Sequence, residues 1–236
     1  MRLTRFVAFV VGLAACGLVG PARADAIISP VNKAINPTFD IHSAEVRRDG
    51  DFLNFRMTLR SNAGTSLPPR TGKYVGSQAY AYIWPTSADT SVAGFPSGQG
   101  VLALALVSHP DLVETVGGIQ YAADWHPHWM VLVPAKGCGP YGLRIMAGNP
   151  VAPGAPAPLM NIMANLPSAM SGATLDIRVP VAMLGDPALL RFDGMTASLV
   201  VSGSGASQVV CVRPIDVASG RLVLQGTVTQ VGSPVQ

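Results

Sequence analysis

Residues 39–61, FDIHSAEVRRDGDFLNFRMTLRS, set Leu53, Phe55, Met57 and Leu59 in alternation with Asn54, Arg56, Thr58 and Arg60. An apolar residue at every second position marks a strand with one buried face. Asp49-Gly50 supplies a tight turn ahead of it, so residues 39–60 predict a β-hairpin.

Runs of the same kind follow at QAYAYIW (78–84), VLALALVS (101–108), WHPHWMVLV (125–133), TLDIRV (174–179), ASLVVSG (197–203), SQVVCVR (207–213) and RLVLQGTVTQ (221–230), most of them bounded by Gly, Pro, Ser or Asp. With the hairpin they make about nine strands, the inventory of a β-sandwich. Only 12% of the residues are charged, while 25 glycines and 20 prolines are present, which favours short strands and turns over a helical bundle. Two short helical pieces are expected, LMNIMANL (159–166) and VAMLGDPALL (181–190), and GNPVAPGAPAP (148–158) reads as an extended loop. The predicted fold is all-β, a single sandwich-like domain over residues 25–236.

The first 26 residues place Arg2 and Arg5 ahead of an apolar run, Phe6 to Val19, and then Ala22-Arg23-Ala24. This predicts a signal peptide over residues 1–24 and a periplasmic or secreted product. Leu13-Ala14-Ala15-Cys16 also fits a lipoprotein box, in which Cys16 would carry a lipid anchor. No later apolar run is long enough for a transmembrane segment. The basic character of the chain belongs to the leader: Arg2, Arg5 and Arg23 leave with it, so 16 basic residues become 13 against 13 acids. A neutral chain gives no electrostatic basis for nucleic acid as a partner. Cys138 and Cys211 are then the two remaining cysteines, and in an oxidising compartment an even pair predicts a disulfide, with a copper or zinc thiolate site as the rival reading.

In DWHPHWMVLVP (124–134) a strand would carry His126, His128 and Met130 on one face and Trp125, Pro127, Trp129 and Val131 on the other. Pro127 cannot donate to a ladder, which predicts a sheet edge or bulge with the imidazoles accessible. His109 ends the VLALALVSHPD strand, so a neighbouring strand can bring it to the same place. Three imidazoles suit copper or zinc, with Met130 or a carboxylate completing the set, and Asp111, Glu114 and Asp124 are the nearest acids. The expected ligands are His109, His126, His128, Met130 and Asp124. An isolated His-x-His pair also fits two polar surface residues; His109 shifts the balance toward metal. Copper ranks ahead of zinc because it forms the stronger nitrogen complexes in the divalent series and because Met130 shares the histidine face. The other methionines read as core filler.

Through YIWPTS (82–87), GFPSGQGVLALALVSHPD (94–111), DWHPHWMVLVP (124–134) and GCGPYGLRI (137–145) the chain resembles a group of exported bacterial β-rich proteins of unassigned function. That resemblance implies one functional surface joining His109, His126 and His128. The local pattern His126-Pro127-His128-Trp129 is similar to a strand of α-type carbonic anhydrases, whose third histidine comes later in the chain, whereas here none follows His128. A further likeness, in elements alone, is to the copper-binding surface proteins of methane-oxidising bacteria. The sequence supports an exported metal-binding protein for storage, delivery or sequestration. Two alternatives are a metal-dependent enzyme with Asp124 or Glu114 as base, and a metal-free protein- or glycan-binding module presenting Tyr80, Tyr82, Trp84, Trp125 and Trp129. It contains no Gly-x-Ser-x-Gly elbow and no phosphate-binding loop motif.

Overall fold

A computed structural model describes residues 26–111, 114–116, 119–121, 124–146, 161–162, 166–203 and 207–230. The leader read at 1–24, with Cys16, and the loop at 148–158 lie outside them. After a two-residue strand, β1 (Ile27–Ile28), the hairpin forms as its alternation demands, from β2 (Ile41–Asp49) and β3 (Phe52–Leu59). Asp49 pairs with Phe52, and Gly50 takes the positive φ of 57° that a two-residue loop needs at its first position. Leu53, Phe55, Met57 and Leu59 are buried as expected.

The remaining strands are β4 (Gln78–Pro85), β5 (Val101–Ser108), β6 (Glu114–Val116), β7 (Ile119–Tyr121), β8 (His126–Pro134), β9 (Leu143–Ile145) and β10 (Asn161–Ile162). They continue with β11 (Ser168–Ser171), β12 (Thr174–Pro180), β13 (Arg191–Phe192), β14 (Met195–Ser202), β15 (Val209–Val217), β16 (Gly226–Thr227) and β17 (Thr229–Gln230). One sheet runs β1-β2-β3-β12-β11, with β17 added in parallel on β2. The second runs β8-β5-β4-β14-β15-β9, and β9 pairs back onto β8, so this sheet closes into a six-stranded barrel. β10 lies on β8 beside β9. The all-β expectation holds, with one of the two sandwich layers rolled into a tube.

Alternation then sorts the barrel residues into two cores. Tyr82, Trp84, Leu102, Leu104, Leu106, Trp129 and Val131 point outward and pack against Phe55, Met57, Leu175 and Ile177 of the open sheet. Trp84 meets Phe55 edge-on with centroids 6.2 Å apart, and its indole N–H donates to the Arg56 carbonyl at 3.4 Å. The Tyr82 hydroxyl donates to the Thr38 carbonyl and accepts from the Gly64 amide, and burial pushes its pKa up to about 12. Ala79, Ala81, Ile83, Ala103, Ala105, Val107, Met130, Leu132, Ala197, Leu199, Val210 and Val212 point inward and fill the lumen. A barrel of so few strands is narrow, so β4, β5 and β14 contribute alanines where the opposing strands bring bulkier side chains.

The closure depends on β9, only three residues long. Cys138, in the turn between β8 and β9, is bonded to Cys211 of β15 across a sequence separation of 73 residues, and Cys211 is the ladder partner of Arg144 in β9. The bridge therefore clamps the same seam that β9 closes.

Three expectations are corrected. Of the helix expected at 159–166 only residues 161–162 and 166 are described, and Asn161–Ile162 form a strand on β8. The piece at 181–190 is helical only over Val181–Leu184, ending at Gly185 with φ 75°. Residues 221–230 do not make one strand, because the buried Asp193 accepts from the Val223 amide and, with Ser219, folds this segment into a turn in which Leu222 and Leu224 have positive φ.

Two outcomes are expected from denaturant unfolding. Ala81→Leu should lower stability by about 1–3 kcal/mol, because the lumen has no space for the added carbons. The Cys138→Ser/Cys211→Ser variant should lose about 2–4 kcal/mol, as should reduction of the wild type.

Candidate metal centre

Along β8 the pleat sends Trp129 and Val131 between the layers and Met130 and Leu132 into the lumen, so His126 and His128 enter the lumen too. β5 pairs with β8 through Val107 to His126 and Ala105 to His128. His109, two residues beyond Val107, continues the lumen face of β5 and arrives next to His126.

The three rings converge at one mouth of the barrel. Nε2 of His109 and Nε2 of His126 are 2.9 Å apart, and the ring centroids are separated by 4.7 Å for His109 and His126, 5.5 Å for His109 and His128, and 4.6 Å for His126 and His128. One nitrogen from each ring lies within 4.8 Å of the other two. All three are buried: His109 and His128 are 0% exposed and His126 is 3%. Nitrogens bound to zinc at roughly 2.0–2.1 Å stand about 3.3 Å apart, so an ion needs ring shifts of only about an ångström to be held by all three.

The hydrogen bonds fix the tautomers. A carbonyl can only accept, so Nδ1 of His126, 2.7 Å from the Asp124 carbonyl oxygen, carries the proton and donates. Nε2 of a neutral His126 then offers its lone pair, and His109 Nε2 is the donor across the 2.9 Å contact. An imidazole whose far nitrogen is tied to a carbonyl is the arrangement that presents the near nitrogen to a metal. Burial lowers the pKa of His126 against the opposing effect of Asp124. Burial again, then the neighbouring His126 and His109, holds His128 well below the ordinary histidine value. Both are neutral at pH 7, the form that binds metal.

The expectation of an accessible sheet edge is overturned. β8 is a barrel strand flanked by β5 on one side and by β9 and β10 on the other, and its histidine face is the inward one. Pro127, which suggested an edge, sits opposite Leu106 of β5.

Met130, 0% exposed, is the next lumen residue after His128 and packs in the apolar lumen cluster. Asp124 joins through its backbone carbonyl, and its side chain is exposed. Asp111 is used elsewhere: it accepts from the amides of Thr71 and Gly72 and from the Thr71 hydroxyl, which lower its pKa, and so ties down the loop at 70–73. Glu114 begins β6, and its side chain lies outside the described residues. His42 is exposed on the open sheet. The aromatic binding face is also overturned: Tyr82, Trp84 and Trp129 are fully buried, while Tyr80 and Trp125 are half-buried against the same interlayer core. Sequence reasoning missed the Asp124 carbonyl, as backbone acceptors leave no mark in a sequence, and the role of Ala105, the small cross-strand neighbour of His128. The Ala-x-Ala pairs at 79/81 and 103/105 were the available sign of a narrow lumen.

Compared with protein-family models, with curated proteins and with solved structures, the chain matches none.

The depressed pKa values set a pH dependence. Below about pH 6.5 the unfolded chain binds protons that buried His126 and His128 refuse, so stability falls as pH drops from there toward the folded values, by up to about 1.4 kcal/mol per pH unit for each histidine. Urea unfolding of metal-free protein at pH 7 and pH 5.5 should show this loss, and His128→Asn should reduce it.

Proposed function

We propose that this is an exported metal-binding protein, selecting copper ahead of zinc, that stores, delivers or sequesters the ion. The observation that carries the reading is the convergence of three buried imidazoles, with one nitrogen from each inside 4.8 Å and the His126 tautomer set by the Asp124 carbonyl. Keeping three polar rings together in an otherwise apolar lumen costs desolvation that a bound ion would offset. The preference for copper is supported by the all-nitrogen donor set and by Met130 next on the same face. Export is supported by the N-terminal pattern of Arg2, Arg5 and Ala22-Arg23-Ala24 and by the Cys138–Cys211 bridge, which belongs to oxidising compartments.

The test is elemental analysis of untagged mature protein taken from the exported fraction, alongside a His126→Asn/His128→Asn variant checked for native circular dichroism. Near-stoichiometric copper in the wild type, lost in the variant, is expected. Wild-type protein that stays empty after incubation with copper and with zinc would overturn the proposal.

A further inference from the structure

The face of the open sheet turned away from the barrel carries a charge pattern that the metal centre does not use. Side chains pointing away from the interlayer core fall into rows across β2, β3 and β12. Glu45, Arg56 and Asp176 stand in one row, and Arg47, Asn54 and Arg178 in the next. Arg47 pairs with Glu45 at 2.7 Å and Arg56 with Asp176 at 2.6 Å, while Arg178 lies 3.9 Å from Asp49 and 4.4 Å over the Phe52 ring. The side chains of Arg47, Arg56 and Arg178 remain 46%, 45% and 46% exposed, so no described element covers this face. A hollow of about 210 Å³ opens between Glu45, Arg47, Asp49, Asn54 and Arg56. Within that lining Asn54 Oδ1, shielded from solvent, accepts no hydrogen bond from any described group.

Glu45, Asp49 and Asp176 balance the three arginines, so a uniformly charged partner, such as a polyanion or a lipid surface, gains little from this face. It is matched by a partner that repeats the same pattern in reverse. A second copy of the chain supplies one. When two copies stack face to face about a twofold axis, the axis lies in the plane of contact. An axis along β3 would set Glu45 over Asp176 and Arg47 over Arg178, like charge over like. An axis across the strands, midway between the two rows, instead sets Glu45 over Arg47 of the second copy, Asp176 over its Arg178, and Arg56 over its Asn54, each pair occurring twice. Every carboxylate then meets a guanidinium, and Arg56 is brought to the Asn54 oxygen that lacks a donor. From this register we infer that the outer face of the open sheet is a homodimer interface closed by that one twofold. It stands independently of the metal-binding reading, because these side chains lie on the opposite side of the sheet from the barrel. About a dozen side chains per copy meet, fewer than the roughly 20–30 of a standard interface, so the pair is weak, with a dissociation constant on the order of 100 µM at low salt.

The experiment is sedimentation equilibrium of untagged mature protein from about 10 µM to about 1 mM, which brackets the expected constant. Monomers should pass to dimers across that range, and raising salt from about 50 mM to about 500 mM should weaken the association about tenfold. Arg47→Glu sets a carboxylate over Glu45 of the second copy and should weaken dimerisation by about tenfold or more. Adding Glu45→Arg should restore the dimer, because each swapped side chain again meets its opposite across the axis. Ion pairing within one chain gives no such rescue. Wild-type protein that stays monomeric at about 1 mM would overturn the inference. So would a dimer that Arg47→Glu leaves unchanged, or a Glu45→Arg/Arg47→Glu protein, native by circular dichroism, that stays monomeric. If the double variant does not fold, Arg47→Glu, at an exposed position, decides alone.

Discussion

The narrowness of a six-stranded barrel governs the rest of this molecule. Barrel diameter grows with strand number, and with six strands the space inside admits only a thin column of side chains. Ala79, Ala81, Ala103, Ala105 and Ala197 meet that constraint on three neighbouring strands, and Met130, Leu132, Leu199, Val210 and Val212 fill what is left. Large aromatics on the same strands have to face outward, and they do: Tyr82, Trp84 and Trp129 build the interface with the open sheet. One steric limit thus creates both cores, and it also fixes the surroundings of the three histidines. Imidazoles at the mouth of such a tube have apolar neighbours below them, and burial there lowers the pKa values of His126 and His128.

Rigidity follows from the same arrangement. β8 carries two of the histidines and is held by β5 along nearly its whole length, by β9 and β10 on its other side, and by the bridge just past its end. A site held on paired strands keeps its donors in place in the absence of an ion, so less ordering entropy opposes binding.

Much of this was legible in the sequence. Period-2 alternation located the hairpin, β4, β5, β8 and β12 to within a residue or two, the cysteine count led to the bridge, and the His-x-His pair, with His109 at the end of a neighbouring strand, pointed to the three histidines that the fold brings together. The barrel was not legible, because closure is decided by register between distant strands and its sealing element, Leu143–Ile145, is too short to show a period. The burial of the histidines was missed for a related reason. Both faces of β8 carry bulky residues, and only the curl of the sheet decides which face becomes the lumen. Residues 221–230 misled because their alternation is real but Asp193, thirty positions before Val223, captures the Val223 amide, and the Ser219 hydroxyl captures those of Arg221 and Leu222.

The outer edge of β2 is covered by two strands from opposite ends of the described chain. β1 pairs with Ser43 and Ala44, and β17 pairs in parallel with Arg47 and Arg48. During synthesis the first of these covers is present almost from the start, whereas the second cannot form until residues 229–230 have been made. Until then the Arg47–Arg48 half of β2 is an open strand edge, the feature through which chains stick to one another. Arg47, ion-paired with Glu45, and Arg48 stand on that half, and charged side chains along an open edge disfavour pairing with a second chain until the last strand arrives.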